Sequence, residues 1–477
     1  MRTRAPCITL LLLLPAAVVR GAGPERGFQP ERRVREATRL DWEFAAGADA
    51  RRLPSGYDSR QQRYQLFVPA TYKATRAWPL VLFVSPGDDP LGWRAWRQPC
   101  EDAGWLFAAA YGAGNACPPA QRVRAVLDVL DDVRRHYRID PDRTYLAGSG
   151  GGSAVACRIA FALPELFGGV VCQEGDAPLP AGGHLLRRAG ERLSVAFVAD
   201  ERGRGRQEKY LGPLYRELGV RSRLWVAPPA RPGHGPPDAE VLAPVQRWLE
   251  DDLKRRQADR RDRIGAEAPS HRAQAALALN RARQQLRRPG GLAAGADELE
   301  WLVRRWGKTE SAERAAGLLA ELRRDPDRGK ALAAQVDVGR RAVLAAQARG
   351  LERLGRLEGA RLAWEQAAGL GDAAARAAAA AEAQRLAGLL ARRPYLGATF
   401  AGETTEVMAL APGGPADRAG LRPGDRLERV GPTKVATPAE VRACLHAARP
   451  GDSLRLGLRR GGKAVSLLVK LGAPPRE

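Results

Sequence analysis

Apolar positions along the chain fall into three successive regimes. From about Tyr64 to Leu253, short apolar runs alternate with stretches whose apolar residues recur every three to four positions. The runs are Tyr64 to Val68, Pro79 to Val84, Leu106 to Ala110, Thr144 to Ala147, Gly169 to Cys172, Leu193 to Val198 and Arg223 to Ala227. The stretches between them, such as Gln121 to Tyr137 and Ser153 to Leu163, carry a helical period. This alternation predicts a largely parallel sheet covered by helices. From about Lys254 to Arg393, Ala, Leu, Arg, Glu and Gln dominate without β-branched clusters, which predicts helices, including Ser311 to Leu322 and the amphipathic stretch Leu351 to Leu370. Strand character returns from Tyr395 to Leu471, punctuated by Pro412-Gly413-Gly414, Pro423-Gly424-Asp425, Arg449-Pro450-Gly451-Asp452 and Arg460-Gly461-Gly462. A chain of 477 residues exceeds one ordinary core, so the three regimes read as three domains, at 60–253, 254–393 and 395–472.

Ahead of them, Arg2 and Arg4 precede an apolar run from Ile8 to Val19, followed by the small residues Gly21, Ala22 and Gly23. This is the layout of a cleavable secretory signal at 1–23, and the run is too short to span a bilayer. Cys7 precedes the run and so cannot be an acylated lipoprotein cysteine. The expectation is a secreted or periplasmic chain with no transmembrane segment after signal removal.

The composition is globular, with 44% hydrophobic and 27% charged residues, and the net charge is +23. The excess is arginine, 69 against 8 lysines, spread through all three regions. That distribution, with no zinc finger, basic zipper or aromatic RNA-reading motif, argues against specific nucleic acid binding and leaves a modest preference for anionic envelope polymers.

Without Cys7, five cysteines remain, an odd number where disulfides can persist. The pairs close in sequence, Cys100 with Cys117 and Cys157 with Cys172, are the expected bridges, leaving Cys444 as a thiol on a predicted helix. Five reduced, packed thiols are the alternative. No paired C-x-x-C hooks occur and the five histidines are scattered, so neither a structural metal nor a cofactor is expected.

The segment Tyr145-Leu146-Ala147-Gly148-Ser149-Gly150-Gly151-Gly152 joins a strand to a helix, the setting of the G-x-S-x-G elbow in which a strained turn lifts a serine above the sheet. Aligned on Gly148, Ser149 falls on the variable position and Gly150 on the nucleophile position. With Pro79-Leu80-Val81-Leu82-Phe83, Asp140-Pro141-Asp142-Arg143-Thr144-Tyr145-Leu146 and Ala160-Phe161-Ala162-Leu163-Pro164-Glu165-Leu166-Phe167-Gly168-Gly169, the region resembles secreted α/β-hydrolases of the esterase and polyhydroxybutyrate depolymerase-like group, over residues 60 to 253. The resemblance implies a general base at His234 and an acid at Asp200 or Glu201, although surface pairing with the following arginines is the alternative for those carboxylates. Ser153, in the first helical turn, reads as a cap. After the strand ending at Val84 the chain has Ser85-Pro86-Gly87-Asp88-Asp89, where proline removes one backbone donor from the oxyanion loop.

Tyr395-Leu396-Gly397-Ala398, with Gly414-Pro415-Ala416-Asp417-Arg418-Ala419-Gly420-Leu421-Arg422-Pro423-Gly424-Asp425, resembles a PDZ domain of the bacterial envelope-protease type. That resemblance implies a carboxylate loop at Leu396, Gly397 and Ala398, and a helix Pro438 to Ala447 whose Val441 and Leu445 line a side-chain pocket; both being merely core is the alternative. Gly424 and Asp425 read as a turn that fixes the fold. In the helical region, Leu354-Gly355-Arg356-Leu357-Glu358 through Ala360, Trp364 and Ala367 resembles the second half of a tetratricopeptide repeat, with a plain spacer bundle as the alternative.

The expected function is therefore an exported envelope protein that binds peptide C-termini through its PDZ domain and carries a catalytically degenerate esterase-like domain. The competing expectation is an active secreted carboxylic ester hydrolase using Ser149, His234 and Asp200 or Glu201.

Overall fold

The computed structural model describes residues 25–180, 182–201, 203–228, 239–258 and 270–473. The expected signal at 1–23 and the base candidate His234 lie outside the described residues.

The chain divides into two compact units, residues 1–178 with 230–269, and residues 179–229 with 270–477. The first unit contains β1 (Gly27–Arg33), β2 (Arg63–Val68), β3 (Trp78–Val84), β4 (Leu106–Ala110), β5 (Ile139–Ser149) and β6 (Gly169–Gln173). They lie in the order β1-β2-β4-β3-β5-β6. The pairs β1–β2 and β2–β4 are antiparallel, whereas β4–β3, β3–β5 and β5–β6 are parallel. Every residue of β3, β4 and β6 is buried, which is why these strands are continuous apolar runs: helices cover both faces of a parallel sheet. This is an α/β-hydrolase-like sheet.

β1 lies well ahead of residue 60, where the hydrolase-like region was expected to begin. Its sequence, Gly27-Phe28-Gln29-Pro30-Glu31-Arg32-Arg33, gives little apolar signal, because an edge strand keeps one side in water and tolerates a proline. Residues 35–57 are held onto the helix Pro119–His136 by three of its aspartates, one of which also binds β2. Asp132 accepts from the Tyr64 hydroxyl at 2.6 Å and from Arg35 N at 3.0 Å. Asp128 accepts from Thr38 N and the Tyr57 hydroxyl, and Asp131 from the Arg39 backbone and guanidinium. At the other end of the unit, fully buried Arg256 donates to Asp142 O, Leu249 O and the Tyr145 hydroxyl, each at 2.8 Å.

The second unit opens with the helix Gly183–Arg192 and the parallel pair β7 (Ser194–Ala199) and β8 (Arg221–Val226). Six helices follow, His271–Leu286, Leu292–Trp306, Glu310–Arg324, Pro326–Arg353, Leu357–Ala368 and Ala373–Ala391. Ser270, Thr309, Asp325 and Asp372 cap four of them by accepting N–H groups of the first turn. The stretch Leu351 to Leu370 is divided between two helices at Gly355, whose φ of 73° glycine adopts without strain.

The unit ends in a small β-rich domain built from β9 (Ala398–Phe400), β10 (Val407–Leu410), β11 (Arg426–Val430), β12 (Thr433–Lys434), β13 (Ser453–Arg460) and β14 (Lys463–Lys470). β10 pairs with β9, and the larger sheet runs β12-β11-β13-β14, antiparallel throughout. Its core is formed by Leu396, Val407, Leu421, Leu427, Val430, Val441, Leu456, Leu458 and Val469 among others. Thr437 and Glu440 form a reciprocal capping box at the start of the helix Pro438–His446. Among the described residues no helix is long and apolar enough to cross a membrane.

The expected disulfides are not formed. Cys100, Cys117, Cys157, Cys172 and Cys444 are all free thiols. Cys100 is buried on the helix Trp93–Ala103, whereas the Cys117 sulfur sits in a loop beside Gly112 O. Cys157 and Cys172 do meet, at the packing of the elbow helix on β6, but as thiols with sulfurs 3.4 Å apart.

Candidate functional site

β5 ends at Ser149, and the helix Gly151–Ala162 begins two residues later, so Gly150 alone makes the turn. It does so at φ 51° and ψ −122°, a conformation that strains any residue with a side chain. Gly150 N donates to Gln173 O at 2.9 Å, tying the turn to β6.

Backbone packing requires glycine at Gly148 and Gly152, whereas at Gly151 the close neighbour is the end of the exposed Asn115 side chain. A Cβ on Gly148 would lie 2.4 Å from the Gly152 backbone, one on Gly152 2.1 Å from Val84 O, and one on Gly151 2.3 Å from Asn115 Oδ1. A Cβ on Gly150 would meet nothing closer than Pro86 Cβ at 3.9 Å. The turn is therefore built to present a side chain at residue 150 to open space, and the residue there has none.

Ser149 precedes the turn, in register with Gln173 at the end of the strand, and is half-buried. Its hydroxyl makes no hydrogen bond among the described residues. Ser153 does not cap the helix: it is fully buried, and its hydroxyl donates to Gly148 O at 2.7 Å and also lies 3.3 Å from Gln173 O. Strain continues on the facing loop, where Glu174 has φ 50°, alone among described non-glycine residues in being positive. Gly175 packs so closely on Gly150 O that a Cβ would come within 2.3 Å.

Backbone donors on the Pro86 side of the turn are depleted. Pro86, opposite Gly150, has no N–H, and Gly87 N is engaged by the Ser85 hydroxyl at 3.2 Å. Pro86 O accepts from Asn115 N at 2.8 Å, pinning the loop in this form. Asp200 and Glu201 follow β7 in the second unit. Asp200 Oδ1 accepts from Gly203 N at 2.7 Å, and Glu201 pairs with Arg204 at 3.1 Å. The ion pair is the surface arrangement expected of an acid beside an arginine-rich run.

A second constellation lies at the start of the small β-rich domain. Tyr395 N donates to Gly472 O, and the carbonyls of Leu396 and Gly397 accept from Ala416 N and Ala411 N. These bonds hold Gly397 at φ 78°. The N–H groups of Leu396 and Gly397 meet no acceptor among the described residues. Consecutive free N–H groups at a positive-φ glycine form a concave anion site.

Ala398 then enters β9, which pairs with β10 along one edge only. Val441 is fully buried in the core, whereas Leu445 is half-buried, as are Ala398 and Phe400. Phe400 was missed from sequence; its signal is the i, i+2 spacing from Ala398, which puts both on one face of the strand. Gly424 and Asp425 form a structural turn. Gly424 has φ 85°, and the Asp425 carboxylate is bound by Arg460 Nε and Nη2 at 2.7 Å and by Arg422 N. The Arg460 hydrogen bonds hold its carboxyl below the ordinary range.

Parts of the chain are similar to known proteins. A search of curated proteins finds the Synechocystis sp. protein named as the serine protease HhoB, 32% identical over 71 residues, covering 15% of this chain and 17% of that protein. The chain thus spans about a sixth of that relative's length. Among solved structures, a thermostable esterase is 18% identical with a TM-score of 0.29, covering 40% of this chain and 59% of its own. An HtrA-type protease, AlgW with a decapeptide, is 23% identical with a TM-score of 0.18, covering 21% and 36%. Residues 406–460 match the family described as PDZ domain, so this chain carries an α/β-hydrolase-like sheet and a helical middle region with a PDZ domain at its C-terminal end.

Proposed function

We propose that this is an exported protein, delivered by a signal at 1–23 that is then cleaved, whose PDZ domain binds peptide C-termini. The observation that carries this reading is the pair of unengaged N–H groups at Leu396 and Gly397 beside the open edge of β9. A terminal carboxylate accepts both N–H groups, the peptide extends β9 by β-augmentation, and its last side chain rests among Ala398, Phe400 and Leu445, above Val441. In the same reading the hydrolase-like domain is catalytically degenerate. The turn that would present a nucleophile holds Gly150, and a base without a hydroxyl to deprotonate runs no acyl-enzyme cycle.

The test measures binding of the full chain to peptides ending in an apolar residue, as free acids and as C-terminal amides. Tight binding of the acid and loss on amidation are expected; equal affinity refutes carboxylate recognition. A fluorophosphonate probe tests the second half. No labelling of the wild type is expected, and labelling abolished by Ser149→Ala would establish an active serine hydrolase using Ser149 with His234 and Asp200 or Glu201.

A further inference from the structure

We propose that the outer face of the PDZ sheet is a membrane-surface site that takes anionic phospholipid headgroups, with Leu468 entering the interface. Strand register separates the two faces. Leu454, Leu456 and Leu458 of β13 pair with Val469, Leu467 and Val465 of β14 and turn to the core. The alternate positions form the opposite face: Arg455, Gly457 and Arg459 of β13 lie against Leu468, Ser466 and Ala464 of β14, with Lys470 beyond. β11 and β12 extend this face with Arg426, Arg429 and Lys434.

All six cations on this face, Arg426, Arg429, Lys434, Arg455, Arg459 and Lys470, are exposed. Two carboxylates stand against them: Glu428, held by Arg459 at 2.8 Å, and Glu406, across an isolated bridge from Arg426. Arg426 lies directly opposite Arg459, and Arg429 directly opposite Lys434. Like charges in directly opposed positions destabilise a sheet; Glu428 offsets Arg459 and the Pro432 carbonyl accepts from Arg429, but no carboxylate among the described residues forms an ion pair with Arg426, Lys434, Arg455 or Lys470. An anionic surface neutralises the whole row at once.

Leu468 selects the kind of surface. It is 64% exposed and sits directly opposite Arg455, with Lys470 two residues along the strand. A soluble polyanion offers an apolar side chain nothing, whereas a bilayer interface receives it between headgroups while the cations meet phosphates. The peptide loop and pocket pack on the inner face through Leu396 and Val441, so both ligands are held at once.

The test is co-sedimentation of the full chain with vesicles of phosphatidylcholine alone or mixed with phosphatidylglycerol. Binding is expected only to the mixed vesicles, weakening as salt rises. Arg429→Ala with Arg455→Ala weakens it by roughly 30-fold, at about fivefold per cation. Arg51→Ala with Arg94→Ala removes the same charge from exposed positions of the first unit and leaves binding unchanged. Leu468→Ser weakens binding at low and high salt alike. Unchanged thermal transitions certify that the variants are folded. Failure to bind mixed vesicles, or equal loss in the two arginine pairs, overturns the proposal. So does a Leu468→Ser variant that binds vesicles normally while Arg429→Ala with Arg455→Ala loses vesicles and inorganic polyphosphate together, since that pattern describes a soluble-polyanion site.

Discussion

Side chains added at Gly150 and Gly152 have opposite expected consequences, and the contrast tests the elbow directly. In Gly150→Ser the new side chain finds open space, with Pro86 Cβ at 3.9 Å the nearest atom, so the cost is that of a non-glycine residue at φ 51° and ψ −122°. Such strain costs about 1–3 kcal/mol. In Gly152→Ala the methyl group lies 2.1 Å from Val84 O and 2.9 Å from its carbonyl carbon, well inside the roughly 3.3 Å at which carbon and oxygen normally touch. The obstructing atoms are the backbone of β3, a central strand that cannot swing aside as a side chain can. Overpacking costs about 1–3 kcal/mol where side chains can shift, so the cost here lies at or above the upper end. A unit of this size loses about 2–4 °C of melting temperature per kcal/mol. Calorimetry of the full chain should therefore show the first unit's transition falling by about 2–12 °C in Gly150→Ser and further in Gly152→Ala. A Gly152→Ala protein that melts with the wild type, or a Gly150→Ser protein less stable than Gly152→Ala, refutes this account of the turn.

Acid should loosen residues 35–57 from the helix Pro119–His136. Burial opposes ionisation of Asp131, but the side-chain and backbone hydrogen bonds from Arg39 outweigh it and hold the carboxyl below its ordinary value. Its contribution is thus full above the unfolded value of about 3.9 and is lost as pH falls through the lower folded value; urea midpoints in that acidic range should fall less steeply in Asp131→Asn, and parallel curves would refute the coupling. Without reductant, five thiols of the chain lacking residues 1–23 should titrate in denaturant, and the partly exposed Cys117 should react with maleimide in the native state while the buried Cys100 and Cys157 should not; two missing thiols would reveal a bridge. Arg256→Ala leaves Asp142 O, Leu249 O and the Tyr145 hydroxyl without their buried donor, which should cost about 3 kcal/mol, read as a lower denaturation midpoint with the slope retained.

The order of strands and helices was legible in the chain because β3, β4 and β6 are buried on both faces and must be apolar throughout, while the helices between them carry one apolar stripe. The PDZ domain was legible because its turns demand particular residues, as Gly424 at positive φ and Asp425 beneath Arg460 illustrate. β1 was not legible: an edge strand with a proline buries too little to leave a pattern. Asp128, Asp131 and Asp132 read as the polar side of a helix, and only folding brought the backbone of residues 35–39 onto them.

Closeness in sequence also misled for the cysteines, because pairing depends on where the carriers pack. The elbow shows the boundary most sharply. A string of glycines around one serine specifies a tight strand-to-helix turn, since only glycine fits where Gly148 meets the Gly152 backbone and where Gly152 meets Val84 O. Alignment on Gly148 already put Gly150 at the elbow position that takes the positive φ; that this position faces open space depends on where β3 and β6 grip the strand, which is a property of the sheet and not of the segment. In the same way the composition carried the excess of arginine, but only the register of β11, β12, β13 and β14 gathered six cations and an exposed leucine onto one face. Charge is additive along a sequence, whereas a surface exists only after distant strands have been paired.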